Sequence, residues 1–298
     1  MKIGIIGAGQ LGRMLALAGY PLGLRFVFLD QSNDAPGAQV GRIIQGAFDD
    51  SEKLAELAKE VDVVTFDVEN VPVTAVEPIA AQKPFLPPVK ALGASQDRLH
   101  EKTLFRKLKI PTPPFMAVDS IEDLRAAVAQ IGLPGVLKTR RLGYDGRGQF
   151  YLRKPADIET AWQTLGTVPL IYEGFVNFSR EVSIIGVRST RGETLFYPLS
   201  ANTHSEGILR YSVAPYRSAS LQKQAETYMR KLLKHLGQGQ KWGRGLDLPN
   251  ALFNRLVNPD ANWKISEHEY TIEVRQILHA TQASGAHVRG LHQLYSVV

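Results

Sequence analysis

Cysteine is absent from the sequence, so the chain can form neither a disulfide nor a thiolate metal site. It also contains no run of about 18 apolar residues, the length that a membrane-spanning helix requires. The first residues turn glycine-rich too early for a signal peptide, and no internal repeat or low-complexity segment is present. These absences argue against a secreted or membrane-spanning protein and predict a cytoplasmic protein without a membrane partner.

A basic tract is also absent, although the formal net charge is +6 and the pI is about 9.4. Positive charge that is dispersed along the chain favours small anionic partners over nucleic acid. A length of 298 residues predicts about two domains, and 44% hydrophobic residues suffice for a sizeable core. We therefore expect a globular protein that binds phosphorylated small molecules.

The first part of the chain is predicted to form an open parallel sheet. The apolar segment Lys2–Ile6 is typical of a strand, and the glycine turn Gly7-Ala-Gly-Gln-Leu-Gly12 leads into apolar residues at helical spacing. Further strands are predicted at residues 25–29, 42–45 and 62–67. Ser51 is the expected cap of the helix before the last of them. This alternation predicts a Rossmann-like α/β domain with a crevice at the ends of its strands.

The glycine turn has the spacing Gly-x-Gly-x-x-Gly, and an acidic residue, Asp30, follows the second strand. In dinucleotide-binding folds such a turn holds a pyrophosphate, and the acid binds a ribose hydroxyl. The same glycines are needed wherever a first strand turns sharply into a packed helix. Nicotinamide binding and a packing turn both remain open on the sequence alone.

A second glycine-rich segment, residues 138–149, lies among several cations. Apolar strands are predicted before it, at residues 135–138, and after it, at residues 149–153. Glycines let the backbone approach a ligand closely, and the backbone N–H groups and cations donate to an anion. This segment therefore predicts a hairpin lid over a nucleotide. The proline-rich linker at residues 110–114 predicts a domain boundary that divides the chain into residues 1–110 and 111–298.

Five stretches are similar to one known family: Gly9-Gln-Leu-Gly-Arg-Met14, Glu69-Asn-Val71, the lid segment 138–149, Asn177-Phe-Ser179 with Glu181-Val-Ser183, and Phe196-Tyr-Pro198. They resemble the ATP-grasp enzymes, and among these the N5-carboxyaminoimidazole ribonucleotide synthase family of purine biosynthesis. The lid string Leu-Gly-Tyr-Asp-Gly-Arg-Gly-Gln is the most specific of them. The resemblance implies a Rossmann-like preATP-grasp domain that holds substrate, followed by an ATP-grasp α+β domain whose lid subdomain spans about residues 111–175.

The resemblance also implies an activity. ATP would phosphorylate bicarbonate, and the carboxyl group would pass from carboxyphosphate to the amine of aminoimidazole ribonucleotide, releasing ADP and phosphate. Carboxyphosphate hydrolyses readily, so a lid that excludes water suits this chemistry. Magnesium is the implied metal and a homodimer the implied assembly. Two alternatives remain open: another ATP-grasp ligase, such as a formate-using transformylase, and a nucleotide-binding remnant without catalysis.

The resemblance assigns site residues by position. The implied ATP contacts are Arg98, Lys138, Gly143, Tyr144, Asp145, Gly146, Arg147, Gly148, Gln149, Glu173, Gly174, Phe175, Val176, Glu181, His204, His268 and Glu269. The implied ribonucleotide contacts are Gln10, Leu11, Glu69, Tyr144, Asp145 and Arg147. The implied catalytic residues are Lys138, Asp145 and Arg147, with Asp145 orienting the attacking amine.

The resemblance ends near Gly237. The family has two magnesium-binding glutamates in its C-terminal part, whereas Gly245 stands about where the first is expected and Glu269 alone matches the second. Magnesium is commonly held by one or two carboxylates together with ATP phosphates and water. Glu269 is therefore the predicted metal ligand. We expect residues 238–298 to be a divergent, frameshifted or erroneous version of the family's C-terminal portion.

Overall fold

The structure of the chain is a computed structural model that describes residues 1–143, 147–189, 192–205, 208–237, 273–280 and 288–297, the last two ranges as backbone only. Within these residues the chain forms three β-sheets with helices packed against them. No helix in the described ranges is long and apolar enough to cross a membrane.

The first sheet is parallel and has the strand order β3-β2-β1-β4. Its strands are β1 (Lys2–Ile6), β2 (Arg25–Asp30), β3 (Arg42–Gln45) and β4 (Val63–Phe66). Gly4 of β1 pairs with Val27 on one side and with Val64 on the other. All four residues of β4 are buried, as expected of a parallel strand with both faces covered. The predicted Rossmann-like sheet is thereby confirmed.

Four helices follow the strands of this sheet: α1 (Gln10–Gly19), α2 (Ser51–Glu60), α3 (Val73–Ala80) and α4 (Val89–Ser95). The predicted cap of α2 is wrong by one residue. The Asp50 side chain, and not Ser51, accepts the N–H groups of Glu52 and Lys53. Helix α3 was not predicted, since it is short and contains Pro78, a residue that disfavours helix interiors.

The second sheet is antiparallel and has the order β5-β8-β6-β7. Its strands are β5 (Phe115–Val118), β6 (Gly135–Thr139), β7 (Gln149–Leu152) and β8 (Leu170–Gly174). Two helices, α6 (Ile121–Ile131) and α7 (Asp157–Leu165), contribute to its core. Ser120 caps α6, since its Oγ accepts the N–H of Asp123 at 3.1 Å. The antiparallel pairing of β6 with β7 confirms the predicted hairpin.

The third sheet has the order β12-β11-β9-β13-β14, and β10 also pairs with β9. Its strands are β9 (Arg180–Arg188), β10 (Thr194–Phe196), β11 (Ser200–Ser205), β12 (Ile208–Val213), β13 (Glu273–Ala280) and β14 (Val288–Val297). The helix α8 (Ala219–Leu236) packs against β9, where Met229 and Leu232 meet Val182 and Ile184 in one buried cluster. Strands β10, β11 and β12 precede this helix in the chain.

Helix α5 (Arg98–Lys107) precedes the proline linker but packs into the core of the third sheet. Asp97 caps it by accepting the N–H groups of Leu99 and His100. Phe105 and Ile110 are buried in the same cluster as α8 and β9. The helix therefore brings its first residues to the junction between the first sheet and the hairpin.

Candidate active site

The carboxylate of Asp67, the residue after β4, occupies the glycine turn that follows β1. Asp67 Oδ2 accepts the N–H of Gly9 at 2.8 Å and the N–H of Gly12 at 3.1 Å, and Asp67 is only 6% exposed. Burial raises the pKa of Asp67 to about 6, the two backbone hydrogen bonds oppose this shift, and the charge of Asp30 adds to it. The turn thus already holds an anion that belongs to the protein.

This arrangement leaves no room for a dinucleotide pyrophosphate in the turn. Gly7 has a φ of 95°, and a Cβ placed on it would lie 1.6 Å from Asp67 Oδ1. Asp30, the expected ribose ligand, instead accepts the N–H of Ala8 at 2.8 Å and that of Ser32 at 3.0 Å. The packing interpretation of the glycine turn therefore fits the structure, and the nicotinamide interpretation does not.

The predicted ribonucleotide contacts border this turn. Gln10 and Leu11 begin α1 between the two glycines that Asp67 holds, and Glu69 lies two residues after Asp67. The Gln96 side-chain amide donates to the carbonyl groups of Glu69, at 2.6 Å, and of Val71, at 2.5 Å. The loop after β4 is therefore fixed from both of its ends.

The hairpin between β6 and β7 is closed at its base by backbone contacts. Lys138 pairs with Gln149, and the N–H of Thr139 donates to the carbonyl of Gly148 at 2.8 Å. Gly148 adopts a φ of 68°, whereas Gly143 does not adopt a positive φ; the neighbouring Leu142 does, at 62°. A Cβ on Gly143 would make a tight contact, 3.0 Å from Thr139 Oγ1.

Three consecutive residues at the start of α5 hold this base. The Arg98 guanidinium donates to the carbonyls of Thr139 at 2.8 Å and Gly143 at 2.6 Å. Asp97 forms an ion pair with Arg140 at 2.7 Å, and Gln96 accepts a hydrogen bond from Arg141 at 3.0 Å. Burial would raise the pKa of Asp97, but the Arg140 contacts outweigh it and lower that pKa. Arg98, a predicted ATP contact, thus supports the hairpin in this conformation.

A buried lysine, Lys102, lies beneath the hairpin and was not among the predicted site residues. Lys102 Nζ lies 3.3 Å from Glu173 Oε2, and Lys138 Nζ lies 3.0 Å from the same oxygen. Lys102 and Glu173 have no exposed side-chain surface. Burial opposes charge on Glu173, but the two lysines outweigh it and hold its pKa below the ordinary value. Lys102 lies one helical turn after Arg98, and this spacing was the signal available in the sequence.

The buried lysines and glutamate together favour an anion. Burial lowers the pKa of Lys138, an effect that Glu173 opposes and Lys102 reinforces. Two amines face one carboxylate, so positive charge exceeds negative charge at the base of the hairpin whenever both lysines are protonated. An anion that approaches Lys138 would therefore stabilise its charged form.

The segment 173–176, at the end of β8, was predicted to contact ATP. Its N–H groups at Gly174 and Phe175 donate to the carbonyls of Pro114, at 3.0 Å, and Pro134, at 3.1 Å. A ligand would therefore have to use other backbone groups of Glu173, Gly174, Phe175 and Val176. The rings of Phe175 and Tyr151 form an edge-to-face pair with centroids 6.4 Å apart, and both are about half exposed. These rings offer an apolar surface beside the hairpin.

Glu181 and His204 lie together on adjacent strands of the third sheet. His204 Nδ1 lies 3.1 Å from Glu181 Oε1. Burial raises the pKa of Glu181 to about 7, and burial lowers the pKa of His204. The pair that the resemblance placed at the nucleotide is thus a contact in the structure, with both groups shifted toward their neutral forms.

Five predicted site residues lie outside the described residues, namely Tyr144, Asp145, Gly146, His268 and Glu269. Arg147 is among the described residues; it lies two residues before β7 and is exposed. Within the described ranges, no group of three or more acidic or histidine side chains could hold a metal ion. The predicted magnesium ligand Glu269 is therefore not tested by the geometry.

Comparison with known proteins defines the class first. The model of the ribonucleotide synthetase preATP-grasp domain matches residues 1–96, and that of the ATP-grasp domain matches residues 103–239. Together they describe a Rossmann-like preATP-grasp domain followed by an ATP-grasp domain. The match ends at residue 239, close to where the sequence resemblance ends.

Individual relatives narrow the class to one family. The chain is 53% identical over 236 residues to N5-carboxyaminoimidazole ribonucleotide synthase of Pseudomonas aeruginosa, covering 79% of the chain and 65% of the relative. It is similar to the synthetase structure from Thermus thermophilus, with a TM-score of 0.79 and 40% identity over 99% of the chain and 71% of that structure. A synthetase solved with ADP has a TM-score of 0.83, 30% identity, and coverage of 100% and 70%. The chain belongs to the N5-carboxyaminoimidazole ribonucleotide synthase family.

The chain spans about two thirds of the length of these relatives, 65% of the one from Pseudomonas aeruginosa and 66% of the one from Brucella melitensis. Family membership and fold therefore rest on the part of the chain that matches, and activity is a separate question.

Proposed function

We propose that this protein carboxylates 5-aminoimidazole ribonucleotide with bicarbonate at the expense of ATP, giving N5-carboxyaminoimidazole ribonucleotide, ADP and phosphate. The observation that carries the proposal is the glycine hairpin with Lys138 at its base, in a chain of this family. Lys138 is buried beside Glu173 and Lys102, and Arg98 reaches the same hairpin. A family member that is 30% identical was solved with ADP, which supports nucleotide binding at such a fold.

The phosphates of ATP are proposed to lie at the base of the hairpin. Lys138 supplies the charge there, with Arg98 and the backbone of Gly143, Gly148 and Gln149 around it. Charge-assisted hydrogen bonds of this kind contribute about 1.5 to 3 kcal/mol each. The excess positive charge of two lysines over Glu173 supports this location.

The adenosine part is proposed to lie between the segment 173–176 and the pair Glu181 and His204. The exposed ring of Phe175 offers a face for packing against adenine. Glu181 is proposed to bind a ribose hydroxyl. His204, at 3.1 Å from Glu181, would orient its carboxyl group.

The ribonucleotide is proposed to lie against Gln10, Leu11 and Glu69 in the crevice of the first sheet, facing the lid residues Tyr144, Asp145 and Arg147. The Gln96 amide links the two sides, because it donates to the Glu69 loop and accepts from Arg141 beside the lid. This contact supports a site that is shared between the crevice and the hairpin.

The proposed reaction has two steps. A bicarbonate oxygen attacks the γ-phosphorus of ATP, the bond to ADP breaks, and carboxyphosphate forms. The amine of the ribonucleotide then attacks the carboxyl carbon, the bond to phosphate breaks, and Asp145 accepts the proton of the amine. The hairpin excludes water between the steps, because carboxyphosphate hydrolyses readily.

Magnesium, with Glu269 as its predicted ligand, a homodimer and a cytoplasmic location complete the proposal through the family resemblance. Glu269 would hold the ion together with phosphate oxygens of ATP and water, and the ion would neutralise charge on the phosphates.

An ADP-release assay tests the proposal. The protein is incubated with ATP, magnesium chloride and either bicarbonate or formate, with and without aminoimidazole ribonucleotide. We expect release that requires bicarbonate and rises with the ribonucleotide, and the rise should disappear in Asp145→Asn but not in the control Asp49→Asn, an exposed acid of the first domain. Formate-dependent release would favour a transformylase. Thermal stabilisation by ATP without ADP release would favour a remnant.

A further inference from the structure

The Asp67 carboxylate joins the two segments that carry the predicted ribonucleotide contacts. Its Oδ2 accepts the N–H groups of Gly9 and Gly12, which lie on either side of Gln10 and Leu11. Asp67 itself follows β4, two residues before Glu69. One buried side chain thus fixes the first turn of α1 relative to the loop after β4.

The carboxylate fills the space in front of α1 where a fingerprint turn would hold a phosphate. A Cβ on Gly7 would lie 1.6 Å from Oδ1, and Cβ atoms on Gly9 and Gly12 would lie 3.1 Å and 2.8 Å from Oδ2. Backbone N–H groups at a helix N-terminus bind anions readily, and here the anion is covalently part of the chain. All three glycines of the turn are therefore explained by contact with Asp67.

The carboxylate is retained at an energetic cost. Asp67 Oδ1 is buried and accepts no hydrogen bond from the described residues. Burial raises the pKa to about 6 and Asp30 raises it further, so the charged form is less favourable here than in water. A folded-state pKa above the unfolded value contributes stability below about pH 4 that is lost as the pH rises to about 6. Ionisation of Asp67 therefore makes the fold less stable near neutral pH than it is at acid pH, where the carboxyl group is protonated.

We infer that Asp67 is the positioning residue of the ribonucleotide side. Its carboxylate fixes the positions of Gln10 and Leu11 relative to Glu69. It also occupies the place in the turn that a nucleotide pyrophosphate would need. The inference rests on the proposed function for the identity of the ligand. It goes beyond that function because none of the residues assigned to the site includes Asp67.

Binding measurements test the inference without requiring turnover. The dissociation constants for aminoimidazole ribonucleotide and for ATP are measured by calorimetry at pH 7.5 in the wild type, Asp67→Asn and Asp67→Ala. We expect the ribonucleotide constant to rise roughly tenfold or more in Asp67→Ala and less in Asp67→Asn, which keeps an oxygen acceptor. The ATP constant should change by less than about twofold.

Asp50→Asn is the matched control. Asp50 also accepts two backbone N–H groups at the start of a helix, α2, but it lies beside β3, two strands away from β1. It should leave both constants unchanged. A loss of ribonucleotide affinity in Asp50→Asn equal to that in Asp67→Asn would show a general effect of helix capping and overturn the inference.

The amide signals of Gly9 and Gly12 give a second measurement that does not involve a ligand. In wild-type protein they should shift with pH around a midpoint of about 6, the pKa of Asp67, and the shift should be absent in Asp67→Asn. If Asp67→Ala fails to fold, Asp67→Asn carries the test.

The failures of the two ideas are distinguishable. A wild-type protein that binds no ribonucleotide would refute the proposed function and with it the ligand assigned to Asp67, even if the amide signals titrate. Unchanged ribonucleotide affinity in both folded variants would refute the inference and leave the proposed function standing. Amide signals of Gly9 and Gly12 that are the same in the wild type and in Asp67→Asn at every pH would also refute it, because the turn would then not depend on the carboxylate.

Discussion

The protein has two glycine-rich turns, and groups of opposite charge lie beside them. The turn after β1 encloses the carboxylate of Asp67, whereas the hairpin after β6 is surrounded by Lys138, Arg98 and Arg140. Glycines provide close approach in both places. The sign of the charge that approaches decides whether the turn packs against the protein or receives an anionic ligand.

The largest loss of activity is expected when the positive charge of Lys138, at the base of the hairpin, is removed. Lys138→Met should reduce ADP release by roughly two to three orders of magnitude, because a preorganised donor to the phosphates is lost. The measurement is the initial rate at saturating ATP. Lys83→Met is the control, since Lys83 also donates to a protein acceptor, the carbonyl of Val61 at 3.0 Å, but lies in the first domain. Wild-type release by Lys138→Met would break the assignment of the hairpin as the phosphate site.

The glycine turn should lose stability most when a side chain is added. Gly7→Ala places a Cβ 1.6 Å from Asp67 Oδ1 at a φ of 95°, whereas Gly23→Ala has a φ of 76° with no atom within 4 Å. Gly23→Ala should lower the free energy of unfolding by about 1 to 2 kcal/mol, the cost of left-handed backbone alone. Gly7→Ala should lower it by about 3 kcal/mol or more, because the carboxylate must also move. Urea unfolding compares them, and equal losses would mean that Asp67 does not fill the turn.

The same substitution in the hairpin should have the smallest effect and a different kind of effect. A Cβ on Gly143 would lie 3.0 Å from Thr139 Oγ1, 3.1 Å from the carbonyl oxygen of Arg147 and 3.2 Å from Arg98 Nη1, contacts that a shift of a few tenths of an ångström relieves. Gly143→Ala should change the free energy of unfolding by less than about 1 kcal/mol. ADP release should fall roughly threefold to tenfold, because the lid base is displaced. If Gly143→Ala lowered the free energy of unfolding but left the rate of ADP release unchanged, the proposed difference between the two turns would be wrong.

The regular elements were predictable because their signals are local. Strand β1, strand β3 and the hairpin follow from apolar runs and glycine positions in the sequence, and the cap Ser120 follows from a four-residue pattern. The misplaced cap of α2 shows the limit of such patterns, because Asp50 and Ser51 are both good capping residues.

The contacts that define the site depend on residues far apart in the chain. Asp67 reaches Gly9, Lys102 reaches Glu173, and Gln96 reaches both Glu69 and Arg141. No periodicity or motif spacing encodes these partners, since they are set by how the sheets pack. The resemblance indicated the hairpin and the pair Glu181 and His204, but it did not indicate the side chains that hold those groups in place.

The start of α5 imposes a constraint on chain length. Three consecutive residues there contact three different parts of the molecule. Gln96 donates to the loop after β4, Asp97 pairs with Arg140, and Arg98 donates to the hairpin carbonyls. Asp97 is the extended N-cap of α5, and Gln96 and Arg98 flank it, so the three side chains reach their partners from consecutive positions. A substitution here would remove one set of contacts, whereas an insertion or deletion of one residue would displace at least one of these side chains from its partner.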